Sequence, residues 1–254
     1  MDESLFDEMD AVAERHWWFR GRREIVLALL RRHLPPGGGL AIGDLGTGTG
    51  HMLRGLGEFG TPYGMEPSPG AARYAEARGG GEVREGALPD RVPYAPDFFD
   101  AVLLLDVLEH IPDAPGALRG AASVVKPGGL LLATVPAYPW LYCGRDRFHG
   151  HVRRYDAASL RAHLSAGGFE TIFLSHFNCF LFLPAAAARL AGRLLGRDRE
   201  RPDLSLPPAP VNALLERVFA AEGAWLGRGG TFPFGLSVVA VARKGWRREG
   251  GGGA

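Results

Sequence analysis

Residues 40–50, LAIGDLGTGTG, run from a short apolar strand (Leu40–Leu45) into a loop with glycine at positions 46, 48 and 50. Glycine lets the backbone adopt positive φ and come close to a ligand. Downstream the pattern alternates. Gly50–Phe59 reads as a helix and Tyr63–Glu66 as a strand; Ser68 and Pro69 make an N-cap and first-turn pair for a helix through Arg78. Glu82–Glu85 is a weak strand and Phe99–Asp106 (FDAVLLLD) a strongly apolar one, and a helix follows around Pro115–Val125. KPGG then turns the chain into GLLLATVP. Apolar runs alternating with helices predict a parallel sheet covered on both faces, a doubly wound α/β fold. In such a fold the glycine loop stands at the carboxyl end of the first strand and faces the nucleotide-binding crevice.

The details of the loop narrow the ligand. A P-loop ends in Gly-Lys-Ser/Thr, but Gly50 is followed by His51 and Met52, so the phosphate-cradling lysine is missing. A dinucleotide fingerprint spaces its glycines GxGxxG; here the third comes one position early, and an acid, Asp44, precedes the loop. D-x-G-x-G-x-G resembles the pattern of S-adenosylmethionine-dependent methyltransferases of the Rossmann-like class. Glu66 in YGMEPS, 20 residues after Gly46, stands where an acid hydrogen-bonds both ribose hydroxyls. FDAVLLLDVLEHIPD and VVKPGGLLLATVP are similar to that family's fourth- and fifth-strand motifs, and together these motifs cover about residues 38 to 136. HWWFRGRREIVLALL and AYPWLYCGRDRFHGHVRRY resemble a bacterial subgroup of small methyltransferases in which an N-terminal helix caps the cofactor.

The resemblance implies a mostly parallel seven-stranded sheet, an N-terminal helical cap and a helical insertion before the last strand. It divides the chain into a cap (1–36), an S-adenosylmethionine-binding core (37–176), an insertion or lid (177–232), a final core strand (233–244) and a tail (245–254). The implied cofactor set is Asp44, Gly46, Thr47, Gly48, Gly50, Glu66 and Asp106, with Trp18 and Arg23 from the cap. One position departs from the pattern. Many members carry Asp after the third strand for the adenine amino group, whereas EGALPDRVPY has Ala87 there, which leaves backbone groups and the wall of Leu88.

Composition excludes several classes. With 46% hydrophobic and 22% charged residues the chain is ordinary globular material, and a net charge of +1 supplies no global field for nucleic acid. Only Lys126 and Lys244 are lysines, so the positive charge is nearly all arginine. Cys143 and Cys179 are too few for a disulfide scaffold or a four-thiolate zinc site. The acidic start, MDESLFDEMD, is unlike a signal peptide, and the longest uncharged stretch, Thr171–Ala188, contains Ser175, His176, Asn178 and Pro184; a cytoplasmic protein is expected.

Outside the core motifs, Ser4–Leu34 reads as helix, ending at PPGGG; His16-Trp17-Trp18-Phe19 and Arg20, Arg22 and Arg23 either cover the cofactor or anchor the helix on the domain. The loop 137–155 holds His149, His151, Arg153, Arg154 and Tyr155, and with Tyr138 it is the expected acceptor side. His151 is the candidate general base, with His110 in the fourth-strand motif as its rival; Arg153, Arg154, Tyr155 and Tyr138 are candidate acceptor-binding groups. A plainer alternative folds this loop on itself through Arg–Asp pairs with Asp146 or Asp156. His149-x-His151 has no third ligand spaced nearby, so no metal is expected.

Asp156 caps a helix through Ala166, a strand covers Phe169–Ser175, and two helices flank RPDLSLPPAP before a strand over Gly235–Ala242. Residues 177–197, with Arg189, Arg193 and Arg197 four apart, suit a sheet-edge helix, a lid over a greasy acceptor, a contact between two copies or an anionic membrane surface. The expected activity is methyl transfer to a small-molecule acceptor, favoured at a hydroxyl or carboxylate oxygen, by a monomer or homodimer. The alternatives are transfer to nitrogen or carbon of a small molecule or peptide, and a non-catalytic binding subunit.

Overall fold

The computed structural model describes residues 3–195 and 205–245. Its sheet has seven strands: β1 (Leu40–Leu45), β2 (Gly60–Glu66), β3 (Glu82–Glu85), β4 (Phe99–Leu105), β5 (Val125–Pro136), β6 (Phe169–Phe177) and β7 (Ser237–Lys244). Their order is β3-β2-β1-β4-β5-β7-β6. The first five strands of that order pair in parallel, and β7 runs antiparallel to both β5 and β6. The sheet is therefore mixed. The chain order reverses between β1 and β4, which sets the ligand crevice at their carboxyl ends.

The helices are α1 (Glu3–Ala13), α2 (Trp17–His33), α3 (Leu53–Leu56), α4 (Pro69–Arg78), α5 (Ala114–Val124), α6 (Gly144–Phe148), α7 (Ala157–Ala166), α8 (Phe182–Leu194) and α9 (Ala209–Gly227). One core lies between the sheet and α5 and α7, built on Phe99, Val102, Leu118, Leu131, Leu160 and Phe169. The other covers the opposite face, where Ile25, Val26 and Leu29 of α2 and Phe219 and Leu226 of α9 meet Ile42, Leu103, Leu132 and Val241. α2 and α9 approach closely because Gly21 faces Phe219; a Cβ there would stand 2.3 Å from that ring. Most of α2 is thus part of a layer covering the sheet.

Several local expectations change. The N-terminal helix is broken at residues 14–16, where His16 caps α2 by accepting the Trp18 N–H at 3.2 Å. The helix read over Gly50–Phe59 is a single turn, Leu53–Leu56, because glycines at 55 and 57 oppose its extension. The KPGG segment lies inside β5 instead of forming a separate turn. Ser68, Asp113 and Asp156 cap α4, α5 and α7. Arg197 and residues 246–254 lie outside the described residues. Among the described residues no helix is long and apolar enough to cross a membrane.

Candidate active site

On one side of the crevice stands the glycine loop after β1. Gly46 (φ +97) and Gly50 (φ +82) have no room for a side chain: a Cβ would come within 2.6 Å of Val107 and 2.8 Å of Ala75. Gly48 (φ +57) has nothing within 4 Å of its Cβ position, so the backbone there opens onto space. Glu66, at the end of β2, is buried and accepts N–H bonds from Gly48 (2.9 Å) and Ser68 (3.1 Å). Burial raises its pKa, and those two donors oppose the rise. Asp44 accepts from the Thr47 hydroxyl at 2.9 Å, and its Oδ1 has no partner; burial pushes its carboxyl up to about 6. Thr49 Oγ1 is likewise buried and unpartnered.

A strap of charged residues ties the N-terminus to this loop. Arg78 donates to the Thr49 carbonyl at 3.0 Å and to Glu14 at 2.7 Å, and it also holds Asp10 of α1. Arg23 lies 3.6 Å from Glu14, on this strap. Arg22 turns inward instead, with its guanidinium 4.5 Å from the Trp18 ring and ion-paired to Asp106. Asp106, the first residue past β4, sits at φ +57 and also accepts from the Thr134 hydroxyl. Sequence reasoning grouped Arg22 with Arg20 and Arg23; only the helical phase of α2 separates them.

Ala87 and Leu88 flank the third-strand end. The Ala87 N–H and carbonyl are both engaged by Arg91, at 2.8 and 2.9 Å, so that residue's backbone is already spent. Leu88 packs on the core edge as a partly buried wall.

The other side of the crevice is built by the 310 turn Leu108–His110 after β4 and by the segment after β5. Val152 N–H bonds the Glu109 carbonyl at 2.8 Å and brings the two together. His110 and His151 meet edge to face, with ring centroids 4.7 Å apart. Donor atoms of Glu109, His110 and His151 all lie within 4.8 Å of one another. His151 Nδ1 is 2.9 Å from Asp146 Oδ1, and Asp146 also accepts from Arg154 Nε (2.9 Å) and Cys143 N–H (2.8 Å). Burial works to raise the Asp146 pKa, but the His151 bond and the Arg154 charge outweigh it and hold the carboxyl well below the usual range. Glu109 is only 1% exposed and neither carboxylate oxygen has a partner. Its burial, with Asp106 nearby, raises its pKa well above normal, while burial lowers the His110 imidazole to about 4.

The remaining candidates separate. Arg154 is buried and spends its guanidinium on Asp146 and the Ala137 carbonyl. Tyr155 is 1% exposed in the core, its hydroxyl donating to Leu108 O. Both belong to the self-folded loop that Asp146 organises. Arg153 reaches the Pro112 carbonyl at the rim. Tyr138 (φ +63) stacks on His176 at 5.4 Å, beside Trp140 and Phe182 at the start of α8. No third ligand stands beside His149 and His151 in sequence, but Glu109 and His110, 42 and 41 residues upstream of His151, bring their donor atoms to it, without His149 in the group. Asp146, which the sequence offered only as a loop partner for arginine, is the group in this cluster that spacing alone did not rank.

A family model described as a methyltransferase domain matches residues 18–173, more than half of the chain. The chain belongs to the methyltransferase-domain family. The chain is 37% identical over 103 residues to a ubiquinone biosynthesis O-methyltransferase of Methylobacterium nodulans, covering 37% of this chain and 40% of that protein. A relative with the same description from Azorhizobium caulinodans is 31% identical over 161 residues, 55% of this chain and 62% of its own. The chain thus spans less than two thirds of the length of these curated relatives. The methyltransferase solved in complex with the Haloferax volcanii Trm112 methyltransferase activator superposes with a TM-score of 0.59 at 20% identity, over 94% of this chain and 96% of that one, and shares the fold.

Proposed function

We propose that this methyltransferase-family chain transfers the methyl group of S-adenosylmethionine to an oxygen of a small-molecule acceptor. The cofactor fits the crevice on this chain's own chemistry. Gly48 opens onto space, Glu66 presents a carboxylate at the end of β2, and Asp44 Oδ1 and Thr49 Oγ1 are buried polar atoms awaiting donors or acceptors. Asp44, Gly46, Thr47, Gly48, Gly50, Glu66 and Asp106 would hold it, with Leu88 as an adenine wall and Trp18, Arg22 and Arg23 as cover. Bound there, S-adenosylmethionine supplies a methyl group on a sulfonium, whose departure needs no acid.

The observation that carries the acceptor half is the Asp146–His151 pair beside the end of β4. With Nδ1 held by Asp146, His151 keeps Nε2 to take the acceptor's proton, and the carboxylate stabilises the resulting imidazolium. Arg153 and Tyr138 line the approach, while Arg154 and Tyr155 position the loop from behind. An oxygen acceptor also accords with the names of the relatives. The test is incubation with S-adenosylmethionine and a panel of hydroxylated and carboxylic acceptors, followed by mass spectrometry. Release of S-adenosylhomocysteine with a product that carries one methyl group in place of a hydrogen on oxygen is expected. Binding without any release would reduce the chain to a non-catalytic subunit.

A further inference from the structure

The acceptor side of the crevice contains a ligand set that proton transfer alone does not use. We propose that Glu109, His110 and His151 bind a divalent transition-metal ion, with an open coordination position for an acceptor oxygen. The open position rests on the acceptor location proposed above; the ion site does not.

Three observations converge. Glu109 is 1% exposed, and both its oxygens lack a hydrogen-bond donor. A buried carboxylate without a partner is costly, and a cation is the partner that satisfies it without a further side chain. The arginines nearby do not serve: Arg22 is committed to Asp106 and Arg154 to Asp146 and Ala137. Second, each histidine has an outer support. His151 Nδ1 lies 2.9 Å from Asp146, and Asp146 is itself fixed by Arg154 and Cys143, so Nε2 is the nitrogen left over. His110 hydrogen-bonds the Gly150 backbone through its ring. A carboxylate or carbonyl behind each imidazole is the arrangement that orients histidines around metal ions. Third, the two segments are locked in register by the Val152–Glu109 backbone bond, so the set comes from rigid neighbours.

The donor atoms lie within 4.8 Å of one another. Bonds of about 2.0–2.2 Å hold donors roughly 3–3.5 Å apart, so the side chains close by about an ångström, a small rotamer adjustment. Two imidazoles and one carboxylate favour zinc, iron, cobalt or nickel over calcium or magnesium. Asp106 is occupied by Arg22 and Thr134 and adds no fourth ligand. With the ion bound, His151 Nε2 is a ligand and not the proton acceptor assigned above, and an acceptor hydroxyl entering the open position would release its proton to water and keep its lone pair on an oxygen held by the ion.

The experiment is titration of the chelator-stripped full chain, carrying no histidine tag, with Co²⁺ and Zn²⁺, read by calorimetry and by the visible absorption of bound Co²⁺. One ion per chain is expected. Glu109→Gln, which preserves shape, and His151→Ala should abolish the Co²⁺ band. Asp146→Asn should weaken binding about 10–100-fold, and His163→Ala, outside the cluster, should leave it unchanged. Absence of saturable binding, or binding that survives in a folded His110→Ala/His151→Ala variant, would overturn the site. Methyl transfer at full rate in stripped protein that binds no ion would also overturn it while sparing the proposed function. Binding of one ion in a protein that never releases S-adenosylhomocysteine would support the site and defeat that function instead.

Discussion

The two sides of the crevice are built in opposite ways. On the glycine-loop side the proposed cofactor groups come mostly from one short stretch of sequence, because backbone geometry does the work: β1 ends, the chain takes positive φ at Gly46, Gly48 and Gly50, and Glu66 arrives from the adjacent strand. On the side after β5 the neighbours His151, Arg153, Arg154 and Tyr155 scatter. One faces Glu109 and His110, one reaches Pro112 at the rim, and two are buried in the loop's own support. A cluster in sequence is a reliable guide to a site only where the main chain forms that site.

The largest effect should come from the imidazole. His151→Ala is expected to lower turnover by about 10²–10⁴, with S-adenosylhomocysteine affinity unchanged, because the cofactor side is made by other loops. Loss of cofactor affinity in the same variant would merge the two sides into one.

Next comes the buried pair that holds the scattered side together. Arg154 and Asp146 have side chains only 4% and 2% exposed, so Arg154→Ala leaves a carboxylate uncompensated and should cost about 3–5 kcal/mol in denaturant unfolding. A loss below about 1 kcal/mol would mean the loop is not organised by this pair. Asp146, held below the usual carboxylate range, contributes stability that is present above that range and lost as the pH falls from it to the carboxyl's own lower pKa.

The glycine-loop side has its own acid response. Burial pushes His51 from 6.5 to about 4. The unfolded chain takes a proton that the native state refuses, so stability is complete above pH 6.5 and falls as pH drops from 6.5 to 4, by about 3 kcal/mol. Unfolding curves across that range should flatten in His51→Gln by the difference; parallel curves for the two proteins would contradict the assignment.

How much was legible follows the same division. The doubly wound core could be read because its strands are apolar runs and two of its helices carry caps at Ser68 and Asp156. The inward turn of Arg22 could not, since Arg20, Arg22 and Arg23 differ only in helical phase and in what α9 leaves uncovered. Glu109 stood in a quoted motif, but its want of a partner depends on burial beside a loop more than 40 residues away in sequence. The Arg–Asp alternative for that loop proved the better guide to Arg154, because a guanidinium buried beside Asp146 has nowhere else to place its charge.

The smallest effect is the most diagnostic. Calorimetry of the full chain with S-adenosylhomocysteine should show saturable binding that Glu66→Ala weakens by about 1–3 kcal/mol, the cost of losing charge-assisted hydrogen bonds at one end of the crevice. Binding of NAD or ATP in its place, with no heat from S-adenosylhomocysteine, would contradict the account.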